Sequence, residues 1–218
     1  MNKAFIFDMD GVIVNSEPVW EELEREYLPK MFGAEAAAKI PNLIGYGLTG
    51  VIELATSLGA TFNREDVIAE HEAMAAKVYE RAQITPGADS LIEELHAKEF
   101  RLGLVSQSKQ DSIEKVLQHL PSKNRLEIVI SLHQHQELKP KPAPDGYLAG
   151  LRALDADSSF SFVLEDSNFG IEAGKAAGCF VIAFRGHLMP GYEQKGAHAY
   201  ADTMEEVANI VNIRSKTR

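Results

Sequence analysis

The chain of 218 residues holds one cysteine, Cys179, so no disulfide can form within it and a reducing compartment is the expected setting. It has no apolar run long enough to cross a bilayer, and its first residues lead into Ala4-Phe5-Ile6-Phe7 without a basic, cleavable leader. A cytoplasmic protein is therefore expected. Basic residues are in deficit: 22 Lys and Arg stand against 32 Asp and Glu, a formal net charge of -10. Such a surface repels nucleic acid and anionic membrane, and neither is expected as a partner. An anionic small molecule is not excluded, because a bound cation and a few local donors can outweigh the global field. No internal repeat or low-complexity stretch is present, and a monomer is expected.

What the chain does have is ordinary globular material, 45% hydrophobic and 25% charged, arranged in a regular alternation. Short apolar runs recur at 4–7, 102–105, 128–130, 162–164 and 180–184, separated mostly by helical patterns such as Ile113, Val116, Leu117 and Leu120. Runs this continuously apolar predict a parallel sheet covered on both faces, an α/β fold of the Rossmann-like kind, whose ligand site lies at the carboxyl ends of the strands. One segment breaks the alternation. Between Glu17 and Ala82 only helical periodicity is found, and Val67, Met74, Val78 and Tyr79 belong to its cleanest amphipathic stripe. The pattern predicts a small helical cap domain at 16–82, inserted into a core made of 1–15 and 83–218. Arg214 to Arg218 reads as a frayed basic tail.

Polar groups cluster where the predicted strands end. Asp8 and Asp10 follow the first strand, and Gly11 breaks it. Two carboxylates at the mouth of a buried strand repel each other, and a divalent cation is the simplest way to keep both ionised. Ser106 ends the second strand, where a hydroxyl beside a helix start suits a phosphate oxygen; a helix cap is the competing role, with Ser108 an equal candidate for it. After the third strand, Lys139-Pro140-Lys141-Pro142-Ala143-Pro144-Asp145 is a stiff segment able to fix one of its two lysines inward. After the fourth come Glu165 and Asp166, and for Asp166 a helix cap is again the competing role.

In this order the set resembles the haloacid dehalogenase-like (HAD) superfamily of phosphohydrolases. Asp8-Met9-Asp10-Gly11-Val12 matches its first motif, Ser106 its second, Lys141 its third, and Glu165-Asp166-Ser167 with Gly170 its fourth. The resemblance covers nearly the whole chain, including the helical cap found in the β-phosphoglucomutase-like branch. It implies that Asp8 attacks phosphorus to form an aspartyl-phosphate, and that Asp10 serves as general acid and then base. It also implies that Ser106 and Lys141 hold the phosphate oxygens. Magnesium would be held by Asp8, the Asp10 carbonyl and Asp166, with Glu165 as a further ligand or a support.

An aspartate at the position of Asp10 favours phosphate esters, since the dehalogenases and phosphonate hydrolases of the superfamily lack it. β-Phosphoglucomutases carry a histidine where this chain has Trp20, and an arginine in the cap loop that here reads Leu43 to Gly50 without one. The resemblance therefore implies a Mg2+-dependent phosphatase acting on a small phosphomonoester, a sugar phosphate in the first instance. A phosphomutase is the alternative, and a phospho-accepting signalling receiver a remote one. Trp20 and Tyr46 are the residues expected to touch the substrate from the cap.

Overall fold

The computed structural model describes residues 2–135 and 137–216. The chain opens with β1 (Ala4–Phe7) and a short β2 (Val14–Asn15), then four helices: α1 (Glu17–Phe32), α2 (Ala34–Ala37), α3 (Leu48–Ser57) and α4 (Arg64–Arg81). β3 (Gln83–Ile84) pairs antiparallel with β2, so the helical segment leaves and returns on a two-stranded ribbon. There follow α5 (Ala88–Ala97), β4 (Arg101–Ser106), α6 (Gln110–Gln118), β5 (Ile128–Ser131), α7 (Asp145–Ala153) and β6 (Phe162–Glu165). The chain then forms α8 (Asn168–Ala176), β7 (Phe180–Phe184), β8 (Ala199–Ala201) and α9 (Met204–Lys216).

The six strands β5-β4-β1-β6-β7-β8 form one sheet, and every neighbouring pair in it is parallel. All four residues of β1 are inaccessible to solvent, and they alternate between two cores. Phe5 and Phe7 pack with residues of α5, α6 and α9, among them Ile92, Ile113 and Val207. Ala4 and Ile6 pack with Tyr147 and Leu151 of α7 and Ile171 of α8. The continuous apolar reading of β1 is thus that of a strand covered on both faces. β1 lies between β4 and β6, where the strand order reverses, and a sheet of this kind opens its ligand crevice at that point.

The five expected strands are present, and three elements are additional. β2 and β3 are two residues each, too short to carry a periodicity, and β8 is a three-residue edge strand in a polar stretch. The tail differs from expectation: Arg214 to Lys216 continue α9, whose inner face is pinned by Val207 and Val211, while Thr217 and Arg218 lie outside the described residues. No helix among the described residues is long and apolar enough to cross a membrane.

Candidate active site

The carboxyl ends of β1, β4 and β6 and the segment after β5 bring the predicted residues together. Asp8, Asp10, Ser106, Lys141 and Asp166 all line one cavity of about 590 Å³. The local chain explains each placement. Gly11 adopts φ +67, and a Cβ there would stand 2.0 Å from Asp166 Oδ2, so the turn after β1 fits against Asp166 only as glycine. Likewise a Cβ on Gly170 would fall within 2.1 Å of both Glu165 oxygens, which lets α8 start directly on that carboxylate. Neither competing cap role is taken up. The N-cap of α6 is Lys109, not Ser106 or Ser108, and the N-cap of α8 is Ser167, whose hydroxyl accepts from Gly170 N at 3.0 Å. Ser106 is buried and accepts from the backbone N–H of Ser108 at 3.0 Å.

The lysine segment turns Lys141 inward and leaves Lys139 outside. Lys139 is exposed, whereas Lys141 is buried with its ammonium donating to Asp8 Oδ1 at 2.5 Å and Glu165 Oε1 at 2.6 Å. Burial pulls its pKa down, but Asp8 and Glu165 outweigh that and hold the ammonium above the ordinary lysine range. Glu165 is fully occupied. Its Oε1 also accepts from Tyr147 OH at 2.5 Å, and Oε2 accepts from the N–H groups of Asp166 and Ser167 and from Ser167 Oγ. A charge pair this deep is destabilised strongly when one partner is deleted, because the other is left uncompensated. Lys141→Met is expected to cost about 3–5 kcal/mol in urea unfolding.

Asp10 is held by three hydroxyls: Ser16 Oγ at 2.7 Å, Ser108 Oγ at 2.8 Å, and Tyr79 OH at 3.0 and 3.1 Å from its two oxygens. These come from the start of α1, the loop after β4, and α4. Sequence reasoning placed Tyr79 on the apolar stripe and Ser108 as a cap, and gave Ser16 no role. The available signal was a phenol on a buried face, which needs a partner. Glu17, a further carboxylate at the site, was also missed; burial and the nearby Asp10, Glu24 and Asp8 raise its pKa well above the ordinary range. From the cap side, Trp20 lines the cavity, and Tyr46 lines it with its ring edge-on to Phe169 at 4.9 Å. Gln107 donates to the Gly45 carbonyl at 2.7 Å and ties the Tyr46 loop to the sheet end.

Carboxylate oxygens of Asp8, Glu165 and Asp166 lie within 4.8 Å of one another. With both Glu165 oxygens taken by donors, Asp8 and Asp166 are the two left to face a cation while Glu165 supports Lys141. An all-carboxylate donor set is hard and suits Mg2+ or Ca2+ rather than zinc. Burial, Glu165 and Asp10 push Asp8 up to about 8 against the pull of Lys141, and burial with Glu17 and Glu165 raises Asp166 as well. The arrangement therefore fits a divalent cation, which would remove that repulsion. Raised carboxyls bind more protons folded than unfolded, so without a cation the contribution of Asp8 and Asp166 to stability is fully present below about pH 4 and is lost as pH rises towards 8. Adding Mg2+ at a hundred times its Kd at pH 8 should stabilise by about 2.7 kcal/mol, roughly 5–10 °C in a thermal scan. A smaller gain is expected at pH 5.

The family model of the haloacid dehalogenase-like hydrolases matches residues 5–184. Hexitol phosphatase B of Escherichia coli O157:H7 is 28% identical over 98% of this chain and 95% of its own. The Arabidopsis thaliana bifunctional riboflavin kinase/FMN phosphatase is also 28% identical over 98% of this chain, which spans only 55% of that longer protein. Among solved structures, a haloacid dehalogenase-like protein of unknown function from Agrobacterium tumefaciens superposes with a TM-score of 0.77, covering 99% of this chain and all of that one at 20% identity. With the strand-end residues gathered at one cavity and the family model spanning the sheet from β1 to β7, the chain belongs to the haloacid dehalogenase-like hydrolases.

Proposed function

We propose that the protein is a Mg2+-dependent phosphatase that hydrolyses a small phosphomonoester, a sugar or polyol phosphate in the first instance, through a phosphorylated Asp8. The observation that carries this reading is Asp10, a second carboxylate lining the same cavity as Asp8 and gripped by three hydroxyls. A fixed acid beside the nucleophile serves an oxygen leaving group, which needs a proton.

In the first step an Asp8 oxygen attacks phosphorus, the bond from phosphorus to the ester oxygen breaks, and Asp10 gives its proton to the departing alkoxide. In the second step Asp10 takes a proton from water as that water attacks phosphorus, and the bond from Asp8 to phosphorus breaks, releasing phosphate. Lys141 supplies fixed positive charge to the non-bridging oxygens, Ser106 supplies a hydroxyl, and Glu165 holds Lys141 in place. Asp8 and Asp166, with the carbonyl of Asp10, would hold Mg2+, which neutralises charge between nucleophile and phosphate when bound.

Residues 16–82 act in this proposal as a cap domain over a core of 1–15 and 83–218, and the enzyme works as a cytoplasmic monomer. The cavity argues against a mutase. Among the described residues, the permanently charged cation lining it besides Lys141 is Arg25, which is engaged with Glu21 at 2.5 Å, while Glu17 and Glu24 line the same wall. A second phosphate would meet carboxylates there. The test is phosphate release from a panel of metabolite phosphomonoesters with Mg2+ and with excess chelator. Release is expected to fall to background on chelation and to return with Mg2+; release indifferent to chelation would contradict the proposal.

A further inference from the structure

The chemistry proposed above uses only the inner end of the cavity. The rest extends along α1, where Glu17, Trp20 and Glu24 occupy one face at i, i+3 and i+7. Glu17 marks the reacting end, since it follows Ser16, whose hydroxyl donates to Asp10 at 2.7 Å. Glu24 is two helical turns, about 10 Å, further out. Between them the indole of Trp20 lies against the imidazole of His71 from α4, with centroids 5.4 Å apart and planes at 26°. Among the described residues, Glu24 has no hydrogen-bond or ion-pair partner and His71 makes no hydrogen bond. Burial pushes Glu24 up to about 7 and draws His71 down to about 4, so the imidazole stands in the wall as a neutral ring. Both side chains are half-buried in the cavity wall, where a bound molecule carrying donors would give Glu24 the partners it lacks.

We infer that Glu24, with the Trp20–His71 pair, forms a distal subsite that selects phosphomonoesters of an extended alcohol bearing a hydrogen-bond donor, hydroxyl or ammonium, at the end remote from phosphate. The inference rests on the phosphatase reading, which fixes the phosphate at Asp8. A three-carbon alcohol held there ends short of Glu24. An extended six-carbon chain reaches it, with its C–H faces on the paired rings.

The test compares glycerol 1-phosphate, sorbitol 6-phosphate, its 1-deoxy analogue and its 1-amino-1-deoxy analogue. Phosphate release is measured for the parent enzyme, Glu24→Ala and Glu24→Gln, and the same esters are titrated calorimetrically into Asp8→Asn with Mg2+. Sorbitol 6-phosphate is expected to bind at least tenfold more tightly than glycerol 1-phosphate. Most of that margin should vanish with the 1-deoxy ester, which needs no protein variant, and in Glu24→Ala, where the loss falls on KM. Glu24→Gln should keep the margin for the hydroxyl ester and lose any for the ammonium ester, which separates the two donors. Equal affinity for three- and six-carbon esters, or a Glu24→Ala loss equal for all esters, would overturn the subsite. Turnover with a flat length series removes the subsite and leaves the phosphatase reading intact. A length-dependent affinity without turnover of any ester does the reverse.

Discussion

Asp8→Asn is expected to lower phosphate release by about 10⁴-fold or more with KM little changed, because it removes the atom that bonds to phosphorus. The substitution is nearly isosteric, so Lys141 and the turn at Gly11 keep their places. Asp8 is buried with its Oδ1 on the Lys141 ammonium at 2.5 Å, and an amide oxygen can still accept that bond. The amide nitrogen is no nucleophile, and one negative charge is gone from a site crowded with carboxylates. Stability without a cation should therefore hold or rise slightly, since the raised carboxyl is the group being replaced. A large activity loss together with intact or improved stability separates a chemical role from a structural one. The comparison is a kcat measurement alongside a urea unfolding curve at pH 8 without Mg2+.

The second large effect belongs to Asp10. Asp10→Asn is expected to cost about 10²- to 10⁴-fold in kcat for alkyl phosphates, whose leaving alkoxide needs a proton. p-Nitrophenyl phosphate should lose far less in formation of the phosphorylated enzyme, because its leaving group departs without one. Both esters share the second step, where Asp10 acts as base, so phosphorylated enzyme should accumulate with the activated ester and appear as a burst of nitrophenol. A uniform loss on both esters, with no burst, would assign Asp10 to holding the site rather than to proton transfer. The three hydroxyls on its carboxylate make the distinction measurable, since they keep the substituted amide in the same place.

The strands and the strand-end residues were legible because local sequence dictates them. A short apolar run such as Ala4 to Phe7, recurring between helical patterns, reads as a strand buried on both faces, and a glycine such as Gly11 marks where it turns. Lys141 was separable from Lys139 only by resemblance. The choice depends on which lysine meets Asp8 and Glu165, two residues 133 and 24 positions away in the chain. The grip on Asp10 was illegible for the same reason. Tyr79 reaches it across 69 residues and Ser108 across 98, and nothing in an amphipathic stripe says which hydroxyl crosses to the sheet. Glu24 and His71 were hidden differently: a carboxylate on a helix and a histidine on a stripe have ordinary positions until the cavity between α1 and α4 is seen.

The proposed reaction requires a covalent bond between Asp8 and phosphorus. The direct measurement is acid quenching during turnover of a good ester, borohydride reduction of any acyl phosphate, and mass spectrometry of the peptide containing residues 4–12. Asp8 is predicted to be recovered in part as homoserine, in an amount that depends on substrate and falls to zero in Asp8→Asn. Recovery of unmodified Asp8 throughout turnover, from an enzyme that nonetheless shows a burst of alcohol, would contradict it.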